Sequence, residues 1–425
     1  MGRWSGRPGK QLVTGVSIVG ALAVLALIGL WPRGSAPDLD GRPNDYVDAT
    51  VTSVDEGTCG GLAATPCQIA TARLTSGPDE GNVVEFRATA QSDAPSLGEG
   101  SEVVLLDVPG NPSDYRYSFA DVQRERPLVW LAAIFVALVV MLGRWQGARA
   151  LVGLVGAGAV LVAFVVPALL HDRPALPVAL AGAILIAFVV LYLAHGVTLS
   201  TTVALAGSII ALALTAVGAV AVAAFAELSG LADQNAEILR LTAASLDMRG
   251  LLIAGIVIGV IGVLGDVTIR QVTTVAAIRR ANPGLSPRLL YHGALQVGRD
   301  HMTATVSTLV LAYAGASLPL ILFFTQGQPV GRLLTSELIS VEIVRILVGS
   351  IALVASVPIT TALASVVIGP GDDGRELPLH DRAPAIRAHH RRPAPAVAGA
   401  GRALASRMRR HGPAWIQVRP SERPG

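Results

Sequence analysis

Apolar and polar positions divide the chain into blocks of two kinds. The first apolar block, residues 11–31, follows Arg3, Arg7 and Lys10. It is longer than the apolar core of a secretory signal, about 7–15 residues, and matches a membrane-spanning helix of roughly 20. Gly34-Ser35-Ala36 behind it keeps signal cleavage open as the alternative to a retained anchor. From Gly34 to Pro127 the period changes to two. Segments 46–54, 68–74, 82–88, 102–108 and 115–119 alternate, with turns such as Ser76-Gly77-Pro78 and Gly98-Glu99-Gly100 between them. Five short strands in so little chain predict a small all-β domain, OB-like or SH3-like. From Leu128 the apolar blocks return, at about 128–142, 150–170, 175–194, 197–226, 251–270, 302–324 and 341–368. The last stretch, rich in Arg, Pro and Ala, reads as disordered.

The pattern therefore predicts an α-helical integral membrane protein with about eight transmembrane helices and one extracytoplasmic all-β domain after the first helix. Its parts are a cytoplasmic N-terminus and anchor (1–33), the β-domain (34–127), a seven-helix membrane domain (128–368) and a basic cytoplasmic tail (369–425). Composition agrees. The chain is 52% hydrophobic and 15% charged, whereas soluble domains carry about 25% charged residues. Aromatics are only 4%, so Ala, Val, Leu, Ile and Gly supply the apolar mass.

Charge sets the orientation. Arg3, Arg7, Lys10, Arg144, Arg149, the arginines from Arg270 to Arg299 and the arginine-rich tail all fall on one side of an eight-helix layout. Basic residues near helix ends stay in the cytoplasm, so both termini are inside and the β-domain is outside the cytoplasmic membrane. Cys59 and Cys67, the only cysteines, then lie in an oxidising compartment. A disulfide between them, in the loop joining two strands, is expected.

Within the helices, polar and small residues recur at helical spacing. Gly255, Gly259, Gly262 and Asp266 share one face of their helix. An intramembrane carboxylate is a functional candidate, while pairing with Arg270 one turn later is the structural alternative. His301, Thr305, Thr308, Ala312 and Gly315 form a second stripe, preceded by Arg299 and by Asp300, which could cap that helix. Glu342, Arg345, Gly349, Ala352, Ser356 and Thr360 form a third, and Thr201, Ala204, Ser208, Ala211, Thr215 and Gly218 a fourth. A shared polar seam is the functional reading, with Asp266, Arg270, Arg299, Asp300, Thr305, Thr308, Glu342, Arg345 and Thr360 as candidates. Dense packing with hydroxyls bonded to their own helices is the alternative. Helices three to five and six to eight enter from opposite sides, and the first helix of each triplet is rich in glycine. If the triplets are inverted repeats, Asp266 is the position for a coupling proton or cation.

No Walker A loop, His-Glu-x-x-His or Gly-x-Ser-x-Gly occurs. Nothing points to an enzyme, a cofactor, a metal or a nucleic-acid partner. Expected partners are the lipid bilayer, a small solute or ion of unknown identity, and an envelope protein if the β-domain binds one. Oligomeric state is left open.

The segments Gly265-Asp266-Val267, Gly298-Arg299-Asp300-His301-Met302, Thr308 to Gly315 with its Leu311-Ala312-Tyr313-Ala314-Gly315 ending, Leu318-Pro319, Glu342 to Arg345 and on to Ile351, and Pro358-Ile359-Thr360 resemble the YibE/F family of bacterial multi-pass membrane proteins. The resemblance covers about 126–368. It implies a membrane protein of unestablished function, often taken for a permease, without established catalytic residues. Thr268-Ile269-Arg270-Gln271 and Ser307-Thr308-Leu309 depart from the family pattern, which has small residues and serines at the first and Asn-Thr-Leu at the second.

This layout makes a topology prediction. Reporter fusions in the tail give a cytoplasmic signal and fusions at Asp93 a periplasm-type signal; a cytoplasmic signal at Asp93 overturns the orientation.

Overall fold

The computed structural model describes residues 7–33, 45–59, 65–89, 97–108, 116–232, 234–242, 246–319, 322, 331 and 335–369. The tail from 370 lies outside them.

The β-domain is one antiparallel sheet of β1 (Asp45–Cys59), β2 (Thr65–Leu74), β3 (Val83–Thr89), β4 (Glu102–Asp107) and β5 (Tyr117–Val122), in the order β3-β2-β1-β4-β5. The long central β1 pairs with β4 along its first part and with β2 along the rest. The register shifts between Val51 and Ser53, and such a bulge bends a strand and sharpens its twist. The sheet curls into a half-barrel in which the rings of Phe86 on β3 and Phe119 on β5 stack at 6.1 Å. Val47, Ala49, Val51, Ala72, Val103 and Leu105 point inward at the alternate positions that the period of two predicts. Asp107 is also buried, and Arg116 answers it with two hydrogen bonds of 2.8 and 2.9 Å. Burial, with a 2.8 Å hydrogen bond donated to Asp79, pushes the Tyr117 hydroxyl up to about 12.

All five expected strands form, but β1 runs past Val54 to Cys59. The cysteine positions therefore lie on paired strands rather than in the connecting loop, with Gly57 opposite Cys67 and Cys59 opposite Thr65. Extended pairing of this hairpin satisfies backbone groups that a loop would leave to water. Both cysteine side chains lie outside the described residues, and so does the expected disulfide.

The helices are α1 (Arg7–Leu30), α2 (Glu125–Val160), a π turn (Leu161–Val165), α3 (Val166–Leu170), α4 (Ala175–His195), α5 (Leu199–Phe225), α6 (Gln234–Thr242), α7 (Met248–Ala281), α8 (Pro287–Ala316) and α9 (Glu337–Val367). Six of the described helical spans are long and apolar enough to cross a membrane. One of them, Glu125–Leu170, is 46 residues long. It is broken at Arg144, where φ is +48°. In a continuous helix Val139 and Gly147 would stand about 12 Å apart along the axis; instead a Cβ on Gly147 would strike the carbonyl of Val139. The chain folds back here, and only a glycine admits the approach. The two arms correspond to the expected helices 128–142 and 150–170. Along the first arm, Leu128, Trp130, Leu131, Met141 and Leu142 are all more than 60% exposed, an apolar surface too large for water.

The helix expected at 302–324 differs. It starts at Pro287, after Ser286 whose hydroxyl accepts from the Leu289 N–H at 3.4 Å. Its first half carries Arg288, His292, Arg299, Asp300 and His301, and it is not among the six apolar spans. Asp300 thus sits inside a helix and caps nothing. A Ser-Pro start is a strong helix initiator, and it outcompetes a start at Met302.

α7, 34 residues and about 51 Å long, packs against α4, α5, α8 and α9. Gly9 at the start of α1 neighbours Leu199 at the start of α5 and Val367 at the end of α9. Trp31, just beyond the far end of α1, stacks on Phe164 at 6.2 Å. The chain therefore leaves α1 toward the β-domain at the end of the bundle opposite the C-terminus of α9. Arg279, near the end of α7, is buried and donates to the carbonyls of Ile368 (3.2 Å), Ser365 (3.5 Å) and Leu285 (2.6 Å). A helix C-terminus presents carbonyls without intrahelical donors and the negative end of its dipole, and this guanidinium meets both needs for α9.

Replacing it tests the point. Arg279→Met should lower stability by about 2–4 kcal/mol, because charged hydrogen bonds vanish and buried carbonyls lose their donor. Arg279→Lys should recover only part. Unfolding of the purified protein in nanodiscs measures both, and wild-type stability of the Met variant would refute the role.

Candidate functional site

The seam is built on α7, because that helix touches every neighbour that carries a polar stripe. The face of α7 that turns inward is not the glycine face. Ile253, Ile256, Val257, Val260, Ile261, Leu264 and Val267 are buried, whereas Gly255, Gly259, Gly262 and Asp266 are exposed. Burying large aliphatic side chains yields about 25 cal/mol per Å² of apolar surface, and glycines offer almost none. Periodicity found two faces, and side-chain size chose between them.

Two polar residues share the buried face with these aliphatics. The hydroxyls of Thr268 on α7 and Ser208 on α5 are 2.8 Å apart. Each is also within reach of a carbonyl of its own helix, Leu264 at 2.8 Å and Ala204 at 3.0 Å. One hydroxyl can donate across while the other donates to its own helix. One turn on, the Gln271 amide donates to the Ala294 carbonyl on α8 at 3.0 Å and to the Thr361 hydroxyl on α9 at 2.6 Å. Gly298 on α8 makes room for Gln271, since a Cβ there would press on its amide oxygen. Ser208, Thr268, Gln271 and Thr361 thus link α5, α7, α8 and α9.

The same junction holds Thr360, which is fully buried. Its hydroxyl finds no hydrogen-bond partner among the described residues. It lies against Gly207 on α5, where a Cβ would collide with it. Ser356, Thr361, Thr201 and Thr215 are buried on the same helices, and their hydroxyls bond to carbonyls of their own helix or, for Thr201, to the hydroxyl of its cap Thr198. The stripes expected on α5 and α9 therefore do face inward.

The remaining expected residues lie elsewhere. Asp266 and Arg270 pair at 2.7 Å on the exposed face, with Arg270 also 3.0 Å from His301 on α8. Arg299, Asp300 and Thr308 are exposed. Thr305 and Thr308 donate to their own helix, at His301 and Ala304. α8 does pack on α7 and α9, but through Ala294, Leu295, Gly298, Met302 and Val306 rather than along the expected stripe from His301 to Gly315. Glu342 and Arg345 form a half-buried pair at 2.6 Å, about 22–27 Å along α9 from Thr360. They line a cleft of about 420 Å³ between α6 and the starts of α7 and α9. The supposed single seam is thus a buried hydroxyl–amide cluster, a separate charged cleft and an exposed ionic group. Nor do the two helix triplets match in detail, since a π turn interrupts only the first helix of the first one.

Thr268, Gln271 and Thr361 were not singled out as seam residues from sequence. A signal existed. Two polar residues three apart interrupt an apolar helix, in the same tetrapeptide that departs from the family pattern. Among the described residues, no three His, Cys, Asp or Glu side chains are grouped to hold a metal ion.

Compared with known proteins, the family described as YibE/F-like protein matches residues 131–370, from the first arm of α2 to just past α9. No curated protein and no solved structure matches the chain.

The contact between Gly207 and Thr360 is open to a double-mutant cycle. Gly207→Ala alone should cost about 1–3 kcal/mol by overpacking. Adding Thr360→Ala should restore most of it, because the colliding atoms are gone. Additive losses, measured by unfolding in nanodiscs, would show that the two helices do not meet at this point.

Proposed function

The chain belongs to the YibE/F-like family, and on that premise we propose that it is a multi-pass protein of the cytoplasmic membrane, a permease that passes a small polar solute or ion along the seam between α5, α7 and α9. The observation that carries the reading is the buried polar junction, above all the unpartnered Thr360 hydroxyl beside the Ser208–Thr268 pair. Polar groups inside a membrane are costly and mark pathways, and a buried hydroxyl without a partner is disfavoured unless something else engages it. Aliphatic residues in those places would pack α7 without the cost. The layout has both termini cytoplasmic, and the β-domain outside with Cys59 and Cys67 bridged. The strand order, with β3 facing β5 across the gap, fits a partly open Greek-key barrel of OB type.

A second reading has an observation of its own. Between β3 and β5 of the half-barrel lies a cleft of about 570 Å³ lined by Asp79, Glu85, Arg87, Arg116 and Tyr117. A charged cleft beside the two edge strands of the described sheet suits an envelope protein partner, and the membrane part would then serve as scaffold.

Proteoliposomes holding the full chain, screened on a supported membrane against protons, alkali cations, sugars and amino acids, separate the two readings. The permease reading expects a saturable flux that Thr268→Val with Gln271→Leu reduces at least about tenfold, roughly the loss of one charged or buried hydrogen bond, while the fold is retained. Flux indifferent to these substitutions eliminates the seam as the path.

A further inference from the structure

We propose that the cleft at the α6 end of the bundle binds a small zwitterion, one that carries an ammonium and a carboxylate beside an apolar side chain. The walls are apolar: Leu239 on α6, Leu251 and Leu252 on α7, Leu338 and Val341 on α9. Set among them, of the described residues, are one carboxylate and one guanidinium, Glu342 and Arg345, a turn apart on α9. Their side chains are 23% and 29% exposed, so both charges still reach the cleft. They meet through a single 2.6 Å contact from Arg345 Nη1 to Glu342 Oε1. A guanidinium has five N–H donors and a carboxylate two acceptor oxygens, and one contact uses a small part of either.

The chemistry of the ligand follows from this set. An anion alone would bring a second negative charge beside Glu342, and a cation alone a second positive charge beside Arg345. Each would be repelled by half of the pair in a partly desolvated site. A zwitterion places its carboxylate on Arg345 and its ammonium on Glu342, and the site stays neutral. The apolar walls then take the side chain. About 420 Å³ is within the range of small-molecule pockets.

The cleft is held in shape before any ligand arrives. Glu337, in the first turn of α9, accepts hydrogen bonds from the N–H groups of Ser229 (2.6 Å) and Gly230 (2.9 Å) and from the Ser229 hydroxyl (2.8 Å). Gly230 has φ of +81° and lies against the Met248 backbone, where a Cβ would collide. This clamp fixes the turn after α5 against the starts of α7 and α9, and pre-formed sites lose less entropy on binding. The proposal rests on the permease reading only for the idea that this end is the mouth of the path; binding does not require transport.

The full-length protein in nanodiscs is titrated with L-leucine, with leucinamide, which lacks the carboxylate, and with 4-methylpentanoate, which lacks the ammonium. Leucine should raise the unfolding temperature with saturation, and both analogues should bind at least about tenfold more weakly, the loss of one charge-assisted contact. Glu342→Gln should weaken leucine to a similar extent. Ala236→Trp on α6, which fills the cleft without touching the pair, should abolish binding even if the charge variant folds poorly. No saturable shift with leucine, equal shifts with either analogue, or wild-type binding by Ala236→Trp overturns the proposal. So does a shift produced by phosphatidylethanolamine in the disc that leucine fails to displace, which would make the occupant a lipid headgroup. Leucine binding without any flux in vesicles would sink the permease reading alone, and flux without binding at this cleft would sink this inference alone.

Discussion

Everything in the helical part depends on one requirement: the polar side chains of α7 must find partners inside the bundle. α7 is the most enclosed of the long apolar helices, so its Thr268, Gln271 and Arg279 cannot turn to solvent. Each is satisfied by a different neighbour, Ser208 on α5, Thr361 on α9 with Ala294 on α8, and the terminal carbonyls of α9. These bonds fix the rotation of α7 about its axis and its register against three helices. Apolar packing alone would tolerate a shift along the axis, because Val, Ile and Leu are nearly interchangeable as neighbours. A lone amide donor is not.

The arrangement has a consequence for the charged residues. Once the aliphatic face of α7 is committed to the core, the glycines and Asp266 are left on the outside, and Asp266 takes the nearest cation, Arg270. The ionic pair on α9 lies near the start of that helix, where α6 and the turn after α5 enclose it. Charge is therefore kept to the exposed face of α7 and to the cleft at the start of α9, and the buried junction at the level of Thr268 and Gln271 holds, among the described residues, hydroxyls and one amide. That is the least costly way to keep polar groups at depth, since neutral groups lose far less on leaving water than ions do.

The β-domain obeys the same rule on a smaller scale. Its buried carboxylate, Asp107, is admitted because Arg116 meets it with a two-pronged contact, and Arg116 reaches Asp79 as well at 2.8 Å. The bulge in β1 lets one long strand serve two partners and curl the sheet, so that Phe86 and Phe119 stack across its interior.

The order of apolar blocks, the five strands, the switch from period two to helical period and the family resemblance were all readable from the chain, because each depends on local composition and spacing. So were the inward stripes on α5 and α9, whose small and hydroxyl residues repeat where no larger side chain competes for the core. Three things were decided only in the folded molecule. Arg144 turns one apolar run into two arms because Gly147 can lie against Val139, a contact with no local signature. The polar first half of α8, which the local Ser286-Pro287 signal starts, is kept in the bundle because the Ala294 carbonyl and the space at Gly298 take Gln271 from α7. Finally, α7 buries its aliphatic face and exposes its glycines. Both faces have equal periodicity in sequence, and only the area each can bury against three neighbours, together with the partners waiting for Thr268 and Gln271, selects the one that turns inward.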